Sequence, residues 1–342
     1  MIRLSAAILL CMASAIACAA PLQGDPLNMP APSTALAARS VLTTITRTGA
    51  RLVAGGERGL IVHSADRGKT WQQASVPVRV TITSIRFADE KTGWAVGNGG
   101  AILRTNDGGA TWEKQFDGNA LVEALDGDVQ GLRADRRQRL VSEGADKPFL
   151  DIYVKDADNA IAVGAYGLIF ATSDGGRHWL PAFGRIGTAE ERHFYAIRKI
   201  GSRLYLAGEQ GAVYRSADDG STFQPVDVGG KATYFSIVGA QDDIVLLGLR
   251  GTAYRSTNGG ATWNKVALPT RSSVTDARAS NDGSGYLLVD DGGSMWQLPR
   301  HGDTVKRIPA SPVFPFSGVE ILPDNAIVIV GALGFGRAAV AN

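Results

Sequence analysis

A carboxylate set among hydroxyls recurs along this chain, and it is the first place to look for chemistry. Asp66 lies between Ser64 and Thr70, Asp107 between Thr105 and Thr111, Asp174 between Thr172 and His178, and Asp218 between Ser216 and Thr222; Asn258 takes the same place between Ser256 and Thr262. Carboxylate, hydroxyl and imidazole groups are the material of general acid–base and nucleophilic catalysis. Each copy, however, also carries a Gly inside the motif and an aromatic residue at a fixed distance, namely Trp71, Trp112, Trp179, Phe223 and Trp263. The pattern S/T-x-D-x-G-x-x-W reads as a turn between two strands. The acid accepts backbone N–H bonds of its own turn, Gly takes the positive φ, and the aromatic ring drops into a gap between sheets. A carboxylate spent on its own turn is a poor catalyst, so these ten positions are expected to be structural.

Asp-turns of this kind also occur in sialidases, where they are structural. That chemistry needs three arginines on a carboxylate, a Tyr with a Glu partner and an acidic proton donor. Arg307-Ile308-Pro309 resembles the tripeptide of that family, but it stands near the C-terminus rather than at the start of the domain, and no Tyr/Glu pair stands out. There is no P-loop, H-E-x-x-H, G-x-S-x-G or credible triad. The four histidines, His63, His178, His193 and His301, have no metal-ligand spacing. The expectation is no enzyme, no metal and no cofactor, with a carbohydrate-binding or sialidase-like hydrolase as the alternative.

The elements that position these residues are repeats. A G-x-x-G bend precedes each Asp-turn and persists where the turn has decayed. Its copies are 56–59, 97–100, 164–167, 208–211 and 248–251, with degenerate copies at 290–293 and 331–334. Successive second glycines are 41, 67, 44, 40, 42 and 41 residues apart, which makes seven units. Each unit reads as four short strands; in the second they are 83–88, 93–97, 101–105 and 111–116, marked by period-two alternation and Gly/Asp punctuation. The fold class is therefore all-β, a seven-bladed β-propeller of four-stranded blades, with an open solenoid as the structural alternative. The last unit ends soon after its third strand. We expect the Pro- and Ala-rich arm, residues 20–39, to supply the missing outer strand and close a ring spanning residues 40–342.

The chain of 342 residues opens Met1-Ile2-Arg3 and then runs apolar to Ala20, the pattern of a signal peptide cleaved after residue 19. Lipidation at Cys18 is the rival reading. Both cysteines, Cys11 and Cys18, fall in this segment, so the mature domain has no disulfide. No other stretch is long and apolar enough to cross a membrane. The net charge of +2 argues against a nucleic-acid binder driven by bulk charge. The expected protein is exported, periplasmic and monomeric.

Chain order fixes the faces of a propeller. Asp-turns lie on one face; the G-x-x-G bends and the connections between units lie on the other, which is usually the ligand face. The one long step places an insertion, residues 117–148, on that second face, and long loops in compact domains are commonly functional. Cations gather in the connections: Arg79, Arg133, Arg136, Arg137, Arg139, Arg185, Arg192, Lys231 and Arg271. Glu57, Arg58, Tyr166, Glu209, Gln210 and Arg250 fill the bends and should ring the channel mouth. A basic face aimed at an acidic loop or at lipid headgroups is one reading; ordinary solvated loops are the other.

Residues 83–97, Thr-Ser-Ile-Arg-Phe-Ala-Asp-Glu-Lys-Thr-Gly-Trp-Ala-Val-Gly, lead into the Asp-turn at 105–112, and together they resemble the repeat of the photosystem II assembly factor family, the Ycf48/Hcf136-like propellers. Residues 149–179 and 195–223 repeat the phrase more loosely. The resemblance covers about residues 40–340. It implies a seven-bladed, non-enzymatic exported scaffold that binds a membrane protein; photosynthetic members hold a newly made subunit, and a basic patch is implicated. It also implies, for bacteria without photosystems, a link to RND-type transporters. A lipid-anchored structural protein is a third reading, which Cys18 would decide.

Overall fold

The structure is a computed structural model that describes residues 24–187 and 191–339. The signal segment, Cys11, Cys18 and Glu190 lie outside the described residues. Seven antiparallel sheets stand around one axis. Among the described residues six have four strands in simple order, and the seventh has three. The first blade runs Leu42–Thr48, Arg51–Gly56, Ile61–Ser64 and Gln72–Gln73; the seventh runs Phe316–Ile321, Ala326–Gly331 and Gly334–Ala339.

The ring is closed by packing. Leu42, Ile45, Leu52 and Val62 of the first blade share one buried cluster with Leu322, Val328 and Val330 of the seventh. Trp71 meets Phe335 across the same seam at 5.2 Å between ring centroids, and Arg67 pairs with Asp324 at 3.1 Å. An open solenoid would leave these two surfaces bare, so the chain is a propeller.

The described part of the arm, from residue 24, does not supply a fourth strand to the seventh blade. Residues 24–41 instead cross the bend face as a strap over the second, first and seventh blades. Leu27, 6 % exposed, sits against the Gly99 bend, and its carbonyl accepts from the Lys114 ammonium at 2.9 Å. Ala31 N–H donates to Val76 O at 3.0 Å and Arg79 N–H to Pro26 O at 2.8 Å. Gln73 binds Pro32 O and receives Thr34 N–H. The strap ends with Ala38 packed over Gly334, where a Cβ would stand 2.2 Å from the Ala38 carbonyl. Its backbone groups are thus satisfied one by one from blades it does not belong to, with no ladder.

The insertion folds as two helices, α1 (Gly118–Ala124) and α2 (Ala134–Ser142). Asp117 caps α1 by accepting from Asn119 and Ala120 N–H. Leu121, Leu125 and Leu140 are buried with Phe116, Phe149, Phe170 and Phe183 of the blades. The insertion is therefore docked on the second and third blades by their shared core.

Candidate functional site

The Asp-turns are closed on themselves. In the first, Ser64 Oγ donates to Asp66 at 2.8 Å and accepts Gly68 N–H at 2.8 Å, Thr70 N–H donates to the carboxylate at 2.9 Å, and Thr70 Oγ1 donates at 2.6 Å. Asp107, Asp174 and Asp218 repeat the geometry, and Asn258 does so with its amide. The Thr70 hydroxyl, the Thr70 N–H and the Ser64 hydroxyl hold the Asp66 carboxyl well below the usual range. Asp218 is drawn down to about 2, first by Thr222 N–H and then by the Ser216 and Thr222 hydroxyls. Trp112, Trp179 and Phe223 are buried, while Trp71 and Trp263 are half-buried.

On the opposite face the first five bends are built the same way. The third residue of each is left-handed: Arg58 at φ 57°, Tyr166 at 55°, Gln210 at 54° and Arg250 at 55°, with Gly99 in the second blade. A side chain in this region costs roughly 1–2 kcal/mol. Such strain tends to collect at functional sites. The connection leaving each blade packs against the next glycine, so bends and connections form one rim.

The structure separates the cations of that rim into three sets. Most are already partnered. Arg79 holds the strap through Pro30 O, Arg133 is bidentate to Asp135, Arg137 binds Leu125 O, Arg139 pairs with Glu191 and Arg192 reaches Gln210 O. Arg136 is 7 % exposed, donates to Tyr166 O at 2.5 Å and lies 5.2 Å over the Phe183 ring. Arg185 is on the other side: its guanidinium binds Gly220 O in an Asp-turn. Arg58, Lys231, Arg250 and Arg271 are exposed and make no hydrogen bond or ion pair among the described residues. The nine connection cations do not form one free basic patch. Helix capping, cation–π contact and local carboxylates consume most of them, and sequence spacing could not foresee those contacts.

Apolar exposure marks the rim better. Among the described residues the exposed large hydrophobics are Leu36, Tyr166, Leu180, Leu249, Val313 and Leu333. Tyr166, Leu249 and Leu333 stand in bends, and Val313 packs beside the Gly293 bend. Four of six therefore surround one mouth, which is the sign of an interaction surface. Leu249 and Leu333 were legible as bend residues in the sequence, but their exposure was not. A separate cleft of ≈ 550 Å³ opens between the strap (Asp25, Pro26, Leu27), the bends at Glu57, Arg58 and Asn98, and Ala145 and Asp146 at the end of the insertion.

Tyr166 also has companions that the sequence reading missed. Its ring lies 5.0 Å from His193, His193 lies 6.2 Å from Tyr195, and Tyr195 lies 5.1 Å from Phe235. Glu209 accepts His193 N–H at 2.8 Å. Tyr195 and Phe235 occupy β-bulges, one of which interrupts every inner strand. At this position Thr83 and Thr275 donate to Phe149 O and Phe316 O of the next blade. Below them Asp151 takes Arg86, Arg198, Ser84 Oγ and Ile197 N–H. Arg278 spans Asp276 and Glu320. Most of these side chains line a polar cavity of ≈ 80 Å³.

The family model described as photosynthesis system II assembly factor YCF48 matches residues 63–126 and 133–308. The chain belongs to this family. The photosystem II stability/assembly factor HCF136 of Cyanidioschyzon merolae (strain NIES-3377 / 10D) is 43% identical over 49 residues, 14% of this chain and 11% of that protein. The photosystem II assembly lipoprotein Ycf48 of Synechococcus sp. (strain CC9902) is 28% identical over 155 residues, 45% of this chain and 39% of that protein. These matches span less than half the length of either curated relative. Among solved structures, YCF48 bound to D1 peptide superposes with a TM-score of 0.66 at 15% identity, covering 94% of this chain and 99% of that one. The WD40 propeller domain of Doa1 gives 0.64 at 9% identity, covering 92% and 96%. At such identities the structures show the shared propeller fold.

Proposed function

We propose that the chain is an exported, non-enzymatic assembly factor that docks a membrane-protein partner on the bend face. The observation that carries this reading is the ring of Tyr166, Leu249, Val313 and Leu333 around the mouth, interspersed with the free cations Arg58, Lys231, Arg250 and Arg271. Apolar anchors within a polar rim are how protein interfaces are composed. Membership of an assembly-factor family supports the role, and a YCF48 with a D1 peptide bound supports an extended segment as the kind of ligand. Among the described residues no helix is long and apolar enough to cross a membrane. We place the protein in the periplasm, held there by cleavage after residue 19 or by a lipid on Cys18; the lipoprotein relative supports the anchor.

The aromatic run from Tyr166 to Phe235 favours a second reading, a sugar-binding propeller. The cavity of ≈ 80 Å³ beneath it falls far short of the roughly 300–1,000 Å³ of small-molecule pockets. We therefore rank it second.

A photo-crosslinking residue at position 249 or 333, with position 180 on the outer rim as control, tests the proposal in native membranes. Adducts with a membrane protein from 249 and 333 and not from 180 are expected, and their mass spectrum reads whether the partner is an RND-type transporter. Equal adducts from all three positions would overturn the assignment.

A further inference from the structure

Among the described residues the seventh blade has no fourth strand on its outer edge. In the first, third, fourth and fifth blades, one third-strand carbonyl points outward to the fourth strand. Ile61 O accepts Ala74 N–H at 2.9 Å, Ile169 O accepts Ala182 at 2.9 Å, Val213 O accepts Val226 at 2.8 Å and Ala253 O accepts Val266 at 3.0 Å. In each case the accepting residue pairs with the residue just before the first bend glycine. At that register the seventh blade has Phe335, opposite Val330. Among the described residues no backbone N–H reaches its carbonyl. Alternation along a strand makes Arg337 the next residue whose N–H and C=O point outward. The inner side of this strand is fully paired, from Gly331↔Gly334 to Ala326↔Ala339.

The strap meets the start of this strand, with Ala38 at Gly334 and Ala37 in one cluster with Phe335, and its own polar groups are engaged by Val76, Arg79 and Gln73. An edge left with free donors and acceptors is a template for a further strand. Arg337 is exposed and makes no ion pair among the described residues. It would face another Arg337 in a symmetric antiparallel pairing of two copies, and like charges directly opposite disfavour that pairing.

We propose that the edge Gly334–Ala339 docks a short extended segment of a partner protein, added as the missing fourth strand with an acidic side chain beside Arg337. The segment is short, since the fourth strands of four other blades have only two residues. This site lies on the outer rim and is independent of the mouth.

A random decapeptide library displayed on phage and panned against the full chain tests it. Wild type is expected to enrich Pro-free, apolar sequences that carry Asp or Glu. Arg337→Pro removes the outward N–H and leaves the bonds to Ala326–Gly331 in place, and should bind those peptides roughly tenfold more weakly. Arg337→Glu keeps the N–H and should turn the enrichment toward basic sequences, so the charge test survives if the proline variant fails to fold. The proposal is overturned by an empty selection, by equal binding to Arg337→Pro, or by an unchanged preference in Arg337→Glu. A homodimer seen by light scattering and dissolved by Arg337→Glu would also overturn it, because it would assign the edge to a second copy.

Discussion

At the scale of the residue, the Asp-turn shows four aspartates spending their carboxylates on their own turns. Thr105 Oγ1, Ala110 N–H, Thr111 N–H and Thr111 Oγ1 all converge on the Asp107 carboxylate. Asp107→Ala releases these donors in one turn. By analogy with side-chain helix caps, it should cost about 1–2 kcal/mol, read as a lowered urea midpoint with an unchanged slope. The turns also set the acid limit. Asp66, Asp174 and Asp218 have folded pKa values below the ordinary 3.8. Groups depressed in the folded state stabilise it above the unfolded value, and that contribution is lost as pH falls toward the folded value. The melting temperature should therefore hold from neutrality to about pH 4.5 and drop between 3.8 and about 2; a fall beginning near pH 6 would point to other groups. These turns were legible in the sequence because acid, hydroxyl, glycine and aromatic ring act within eight successive residues.

At the scale of the element, the inner strands are tied to one another through the channel. Asp151 is 2 % exposed, and burial works against its charge. Arg198, Arg86, Ile197 N–H and the Ser84 hydroxyl more than offset that, so its carboxyl stays ionised. Burial and the neighbouring Arg198 push the Arg86 guanidinium down to about 10. Asp151→Ala would leave the Arg86 and Arg198 guanidinium groups facing each other without their shared carboxylate. A loss of about 3–5 kcal/mol in urea unfolding is expected, and a change under 1 kcal/mol would show that water already screens the cluster. Little of this was legible. Arg86, Asp151 and Arg198 are far apart in the chain, and only blade geometry brings them together. The strap was misread for a related reason. Its contacts are single hydrogen bonds to Val76, Arg79 and Gln73, which carry no alternation, whereas the missing strand in the last unit was visible from its length.

At the scale of the whole molecule, the propeller sorts its surface. One face is made of self-satisfied turns, and the other gathers strained bends, exposed apolar side chains, free cations and the docked insertion. Seven units and their faces could be read from the spacing of G-x-x-G alone. The rim could not: the pairing of Arg133 with Asp135 and of Arg139 with Glu191 removes cations that the sequence seemed to offer, and Leu249 and Leu333 become significant only once they are seen exposed on one ring. Deleting the insertion would be a poor test of the mouth, since Leu121, Leu125 and Leu140 belong to the core. The most direct test uses surface changes only. Wild type and the double variant Tyr166→Asp/Leu249→Asp, each confirmed folded by its melting temperature, are used as baits on detergent-solubilised membranes. The account predicts that wild type recovers a membrane protein and that the variant recovers it at least tenfold less. Equal recovery by both baits would contradict a partner site at the mouth.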